Sequence, residues 1–152
     1  KIRELCREVP DYLKELKGFE NPRLCIPGVI AIQTKGFTTY ESAQREMHDL
    51  HEQLKGWNSH EVAQIVICDD SAFLSENIGN YLWVTYTRCN PSHDIYGIHA
   101  STIYKHWGCN GPVVFDARIK KHHAPALEKD SSVEQKINRL FNKGGSLYGR
   151  IK

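Results

Sequence analysis

Apolar positions along the chain fall into two rhythms. Short runs rich in β-branched residues occur at Val29-Ile30-Ala31-Ile32-Gln33-Thr34, across Val62, Ile65, Val66 and Ile67, and at Pro112-Val113-Val114-Phe115-Asp116-Ala117. Their length and branching predict strands buried on both faces. Asp94 to His99 reads as a further short strand. Between these runs the apolar residues recur at helical spacing. Tyr40, Ala43, Met47, Leu50 and Leu54 form one stripe, opened by a Thr38–Glu41 capping pair and closed by Lys55 and Gly56. A second helix is predicted from an N-cap at Ser75, followed by Glu76, with Ile78, Leu82 and Trp83 inward. A third starts at Ser131 with Glu134, buries Val133, Ile137, Leu140 and Phe141, and stops at Gly144-Gly145. Residues 1–17 read as helical through Ile2, Leu5, Val9, Leu13 and Leu16, broken at Pro10, with Gly18 and Pro22 marking a loop.

This alternation predicts an α/β fold, a layered sandwich with a mainly parallel or mixed sheet flanked by helices. Residues 1–152 form one domain in this reading, with 126–152 as a C-terminal helix and tail. Asn90-Pro91 reads as a turn. Ala100 to Gly111 shows no clean period and reads as a loop holding Tyr104, Lys105, His106, Trp107 and Cys109. Loops of that length and content more often carry function than not.

Composition narrows the class. With 152 residues, 40% hydrophobic, 25% charged and a net charge of +2, the chain is ordinary for a globular protein with one core. Acidic and basic residues are interleaved, which argues against a nucleic-acid or membrane-binding surface. No apolar run approaches the roughly 18 residues that span a bilayer, and no signal-peptide pattern stands out. Five cysteines without a C-x-x-C pair point away from structural zinc and toward a reduced, cytoplasmic setting, where Cys68 and Cys89 act as small hydrophobes. The chain begins at Lys1, which reads as processing or as a piece of something longer.

Candidate chemistry is sparse. His48 and His51 share a helix face, but Glu46, Asp49 and Glu52 beside them are what any solvated face carries. His122 and His123 adjoin Lys120 and Lys121, so an anion suits them better than a cation, and a plain exposed loop suits them better still. Asp69-Asp70 ends a strand where open α/β sheets place ligands, yet a turn and helix-capping role outweighs acid–base work. Phosphate-cradling and nucleophile-elbow glycine patterns are absent, and nothing marks a base for Cys109.

The runs Ile65-Val66-Ile67-Cys68-Asp69-Asp70 and Leu82-Trp83-Val84-Thr85-Tyr86-Thr87-Arg88-Cys89-Asn90-Pro91-Ser92-His93-Asp94-Ile95 resemble the carboxy-terminal domain of UbiD-type carboxylases and decarboxylases. The resemblance covers about residues 25–125. It departs where an aromatic-Pro-Gly-His-Ala signature gives way to Phe37-Thr38-Thr39-Tyr40-Glu41-Ser42-Ala43. Lys105-His106-Trp107-Gly108-Cys109 through Phe115-Asp116-Ala117-Arg118, with Lys120, His122, His123, Ala124 and Pro125, is similar to the branch that handles phenolic substrates, phenylphosphate carboxylase included.

The resemblance implies a parent enzyme that adds or removes CO2 on an aromatic carbon with prenylated FMN, manganese and potassium, all held by preceding domains. No segment here matches those domains. This chain is therefore expected to be a lid and subunit interface, inactive and cofactor-free alone, partnered by the N-terminal domains of the same enzyme or by separate subunits in a homo- or hetero-oligomer. Ile98, Tyr104, His106 and Trp107 are expected to face an aromatic small-molecule substrate, Trp107 by stacking. Core packing of Trp107 is the equal alternative. The main alternative function is a small non-catalytic subunit or binding module docking on a separate catalytic polypeptide. An independent flavin or metal protein is a weaker third.

Overall fold

The computed structural model describes residues 4–57, 60–124 and 130–150. Its centre is a sheet in which β2 (Val29–Gln33), β3 (Gln64–Cys68) and β7 (Val113–Asp116) run parallel side by side. β1 (Glu20–Ile26) joins β2 antiparallel and β4 (Ile95–Gly97) joins β7 antiparallel, giving the order β1-β2-β3-β7-β4. The sheet is thus mixed, with parallel centre and antiparallel edges, and the expected α/β sandwich stands.

The β-branched runs form strands because both faces are covered. On one face Ile30, Ile32, Ile65, Ile67 and Val114 pack with Met47, Leu50 and Leu54 of helix α2 (Tyr40–Leu54) and with Leu13 of the short α1 (Asp11–Lys14). On the other, Val29, Ala31, Val66, Cys68 and Ala117 meet Leu74 of α3 (Ser71–Ser75) and Tyr81 and Val84 of α4 (Ile78–Arg88). Burying such side chains is worth roughly 1.5–3 kcal/mol each.

Several elements depart from the pattern-based expectation. Residues 4–10 are not helical, and only Asp11–Lys14 is, because Pro10 opens that turn; Ile2 lies outside the described residues. The expected loop around Pro22 is strand β1, an irregular edge strand where a missing N–H is tolerated. The cap of α2 is Thr39 rather than Thr38, its hydroxyl accepting from Ser42 N. Ser75 caps nothing: Asp70 caps α3 and Asn77 caps α4. Helix α4 is also rotated from expectation, with Tyr81, Val84 and Thr85 buried while Ile78, Leu82 and Trp83 face outward. Asp130 caps α5 (Ser131–Phe141), not Ser131, and its Val133, Ile137, Leu140 and Phe141 are exposed rather than buried.

The stretch from Ala100 to Gly111 is not a loop. It is a hairpin of β5 (Ala100–Ile103) and β6 (His106–Cys109), closed by Tyr104-Lys105 with φ of 50° and 67°. Positive φ at both central residues makes a two-residue turn whose twist suits the strands.

Candidate functional site

Parallel sheets present their ligand-facing groups at the carboxyl ends of the strands. Here that end is packed with charge. Beyond β7 the chain alternates, so Asp116, Arg118 and Lys120 recur at a spacing of two and are all buried. Arg118 Nε and Nη2 donate to the two oxygens of Asp116 at 2.8 and 2.6 Å, a bidentate fork. Its Nη1 donates to Glu46 Oε2 on α2 at 2.6 Å and to the Lys35 carbonyl at 3.0 Å. Burial opposes the guanidinium charge, but Asp116 and Glu46 outweigh it and hold Arg118 firmly protonated. Burial likewise works against the Glu46 carboxylate, while hydrogen bonds from Arg118 and Lys35 bring its pKa below the ordinary value.

Lys120 plugs the next layer. Its ammonium donates to the carbonyls of Asp116 at 2.9 Å and of Arg88 and Arg118 at 3.3 Å each, and pairs with Asp94 Oδ2 at 3.3 Å. Asp94 also accepts from Asn90 N at 2.7 Å, which fixes the turn after α4. The Phe37 ring covers both cations, 5.6 Å from the Arg118 guanidinium carbon and 5.1 Å from Lys120 Nζ. Burial, then the charges of Asp116 and Asp94, push the Tyr96 phenol up to about 12, and burial pushes the Cys89 thiol up to about 12. Neither group is poised to ionise near neutral pH.

This network locks three segments together: Asp116 and Glu46 pair with Arg118 and Asp94 pairs with Lys120, while Asp94 Oδ1 is buried without a hydrogen-bond partner among the described residues. Among the described residues no group of three or more His, Cys, Asp or Glu is arranged to hold a metal ion.

The other candidates lie apart from it. Asp69 accepts from Ile119 N at 2.7 Å and from Arg88 Nη1 at 3.5 Å, and Asp70 caps α3, so both are structural. His51 contacts His99 edge to face with ring centres 5.6 Å apart, but His48 does not join them. His122 and His123 contact each other, and His123 Nδ1 accepts from Lys120 N. Cys109 is half-buried, its thiol 3.4 Å from the Gly111 carbonyl; Pro125 lies outside the described residues.

The four residues expected at the substrate are spread along the hairpin from its root to its tip and do not form one cluster. Ile98 is buried in the core at the hairpin's root. Tyr104 is 92% exposed at the tip, beside exposed Ile103 and His106. Trp107 is half-exposed and lies on the face that turns back toward Gly97. Pattern reading missed Glu46 and Asp94 as members of the ionic network. The usable signal was the Asp116-x-Arg118-x-Lys120 alternation straight after a buried strand.

No protein-family model matches the chain. It is 30% identical over 92 residues to one subunit of the 4-hydroxybenzoate decarboxylase of Chlamydia pneumoniae, covering 60% of this chain and 15% of that protein. Among solved structures, an evolved dimeric form of the UbiD-class enzyme HmfF from Pelotomaculum thermopropionicum, in complex with prFMN, aligns with a TM-score of 0.48 at 16% identity, over 82% of this chain and 26% of that one. Vanillic acid decarboxylase of Sedimentibacter hydroxybenzoicus, in open form, aligns with a TM-score of 0.48 at 12% identity, over 86% and 30%. The chain is thus similar over 92 residues to a small part of a decarboxylase polypeptide.

Proposed function

We propose that this chain is the carboxy-terminal domain of a UbiD-like carboxylase or decarboxylase acting on an aromatic, phenolic substrate, in the phenylphosphate carboxylase-like branch. The carrying observation is the 92-residue match to the 4-hydroxybenzoate decarboxylase polypeptide. In this reading residues 1–152 are a single domain that serves as active-site lid and subunit interface in an oligomer. The domain is inactive by itself. The parent enzyme is cytoplasmic in this reading.

The division of labour is what the resemblance implies. Prenylated FMN with manganese and potassium, held in preceding domains as the resemblance implies, would supply the carbon–carbon bond chemistry. This chain's residues cover the substrate. The two-stranded hairpin holds Tyr104 and His106 outward at the end of a short stem rooted at buried Ile98. A phenol, an imidazole and the half-exposed Trp107 indole offer hydrogen bonds and ring faces to a phenolic acid while excluding water. The buried Arg118–Asp116–Glu46 and Lys120–Asp94 pairs keep the lid body stiff.

A second reading has a specific basis, because the chlamydial relative is one subunit of its enzyme. There the chain is a small non-catalytic subunit docked on a separate catalytic polypeptide. Purification of the native protein under gentle conditions separates the two. One polypeptide that includes this sequence together with the flavin-bearing domains supports the first. A stable complex of two polypeptides supports the second. A colourless protein that exchanges no 13CO2 into phenolic acids contradicts both.

A further inference from the structure

Two buried polar atoms at the carboxyl end of the sheet are left over by its ion pairs. Asp94 is wholly buried, and both contacts to its carboxylate, from Asn90 N at 2.7 Å and Lys120 Nζ at 3.3 Å, fall on Oδ2. Its Oδ1 has no hydrogen-bond partner among the described residues, and neither has the hydroxyl of Tyr96, although both atoms are buried. An ionised carboxylate has acceptor sites on both oxygens, and a buried oxygen left bare is strongly disfavoured.

The two atoms belong to one place. Asp116 N donates to the Asp94 carbonyl at 2.9 Å, so the β4–β7 ladder runs on past Ile95 and sets Asp94 and Tyr96 two residues apart on one face. That face is the α2 side, where Tyr96 packs against the core and Arg118 joins Asp116 to Glu46. The electrostatics agree. Burial first, and then the charges of Asp116 and Asp94, raise the Tyr96 phenol; burial first, and then the same two acids, raise that of Tyr40 at the start of α2. A phenol that keeps its proton is a donor and Oδ1 is an acceptor, yet the two do not bond to each other. A small polar guest that accepts from one and donates to the other satisfies both.

We propose that this place binds a single buried water, which accepts from the Tyr96 hydroxyl and donates to Asp94 Oδ1. Charge favours water over an ion. Asp94, Asp116 and Glu46 are already matched by Lys120, Arg118 and Lys35, so a cation would add unbalanced charge beside the Lys120 ammonium, which stands 3.3 Å from the same carboxylate. An anion would meet the Asp94 oxygen itself. The water has a structural task. Asp94 anchors both the turn at Asn90 and the buried Lys120, so serving its second oxygen holds the joint between α4 and β4 with solvent as well as protein. The site is made by this chain's own residues and stands or falls independently of the decarboxylase reading.

Crystals of the native protein that diffract well enough to show ordered solvent test this directly. One solvent peak is expected within about 2.5–3.0 Å of both the Tyr96 hydroxyl oxygen and Asp94 Oδ1. A direct Tyr96–Asp94 hydrogen bond overturns the proposal, as does a peak that proves by anomalous scattering to be a metal ion, or no peak at all. In solution, oxygen-17 relaxation dispersion counts long-lived internal waters. Tyr96→Phe keeps the ring and removes the donor, and is expected to lower that count by one while the protein stays folded. An unchanged count in a folded Tyr96→Phe overturns the proposal too. If that variant fails to fold, the crystal of the unsubstituted protein still decides. Carboxylation or decarboxylation assays move neither readout, so failure of the enzymatic reading is told apart from failure of the water site.

Discussion

The Trp107 indole and Gly97 occupy one another's space: Cζ2 of the ring lies 3.1 Å from where a Cβ on residue 97 would stand, and Cys109 Cβ lies 2.6 Å from the same point. A side chain at 97 would lever the hairpin off β4. Gly97→Ala is therefore expected to cost about 1–3 kcal/mol, the usual penalty for overpacking, and to shift Trp107 into a wetter setting. Chemical denaturation and tryptophan emission read both. An unchanged midpoint with unchanged emission would mean that the hairpin does not rest on Gly97.

Trp107 itself divides between packing and function. It is 50% exposed, so truncation forfeits only part of the core value of a tryptophan. Trp107→Ala in the native protein is expected to lose roughly 1–2 kcal/mol of stability while turnover of a phenolic acid falls about tenfold or more. A lowered melting temperature with full turnover would assign the ring to packing alone.

The ionic network gives stability a pH dependence of known sign. Glu46 has a folded pKa held below its ordinary 4.5 by Arg118 and Lys35 against the opposing effect of burial. Its contribution is complete above 4.5 and is lost as pH falls through the depressed folded value. Acid titration of wild type and Glu46→Gln should therefore converge at low pH and differ by about 1–3 kcal/mol at neutral pH. Parallel curves across the acid range would contradict the assignment.

Lys120 is buried and caged by three carbonyls and Asp94. Lys120→Met leaves Asp94 buried and without its cation, and breaking such a pair typically costs about 3–5 kcal/mol. Urea unfolding checks this. A loss below about 1 kcal/mol would show that the cage is wetter than its geometry implies.

Much of the fold was legible because burial writes itself into residue type. β2, β3 and β7 are β-branched runs enclosed on both faces, and α2 shows its stripe. β1 was not legible, because an irregular edge strand carrying Glu20, Asn21, Pro22 and Arg23 has the composition of a loop. The hairpin hid because Tyr104 and Lys105 hold positive φ without the Asn or Gly that announces such turns. The outward faces of α4 and α5 misled in the opposite sense: large apolar residues were read as core, yet the chain alone does not cover them. The proposal for the hairpin rests on side-chain content, whereas Glu46 joins Arg118 from 72 residues away, which no local spacing reveals.

The central claim, that the hairpin tip closes over an aromatic substrate, is tested most directly by the turnover of the native protein with Tyr104→Gly and Lys105→Gly together. Both positions have positive φ, where glycine relieves rather than strains the backbone, so the fold is expected to be at least as stable. The account predicts a fall in kcat for phenolic-acid decarboxylation of about tenfold or more with an undiminished melting temperature. Full turnover by that variant would contradict it.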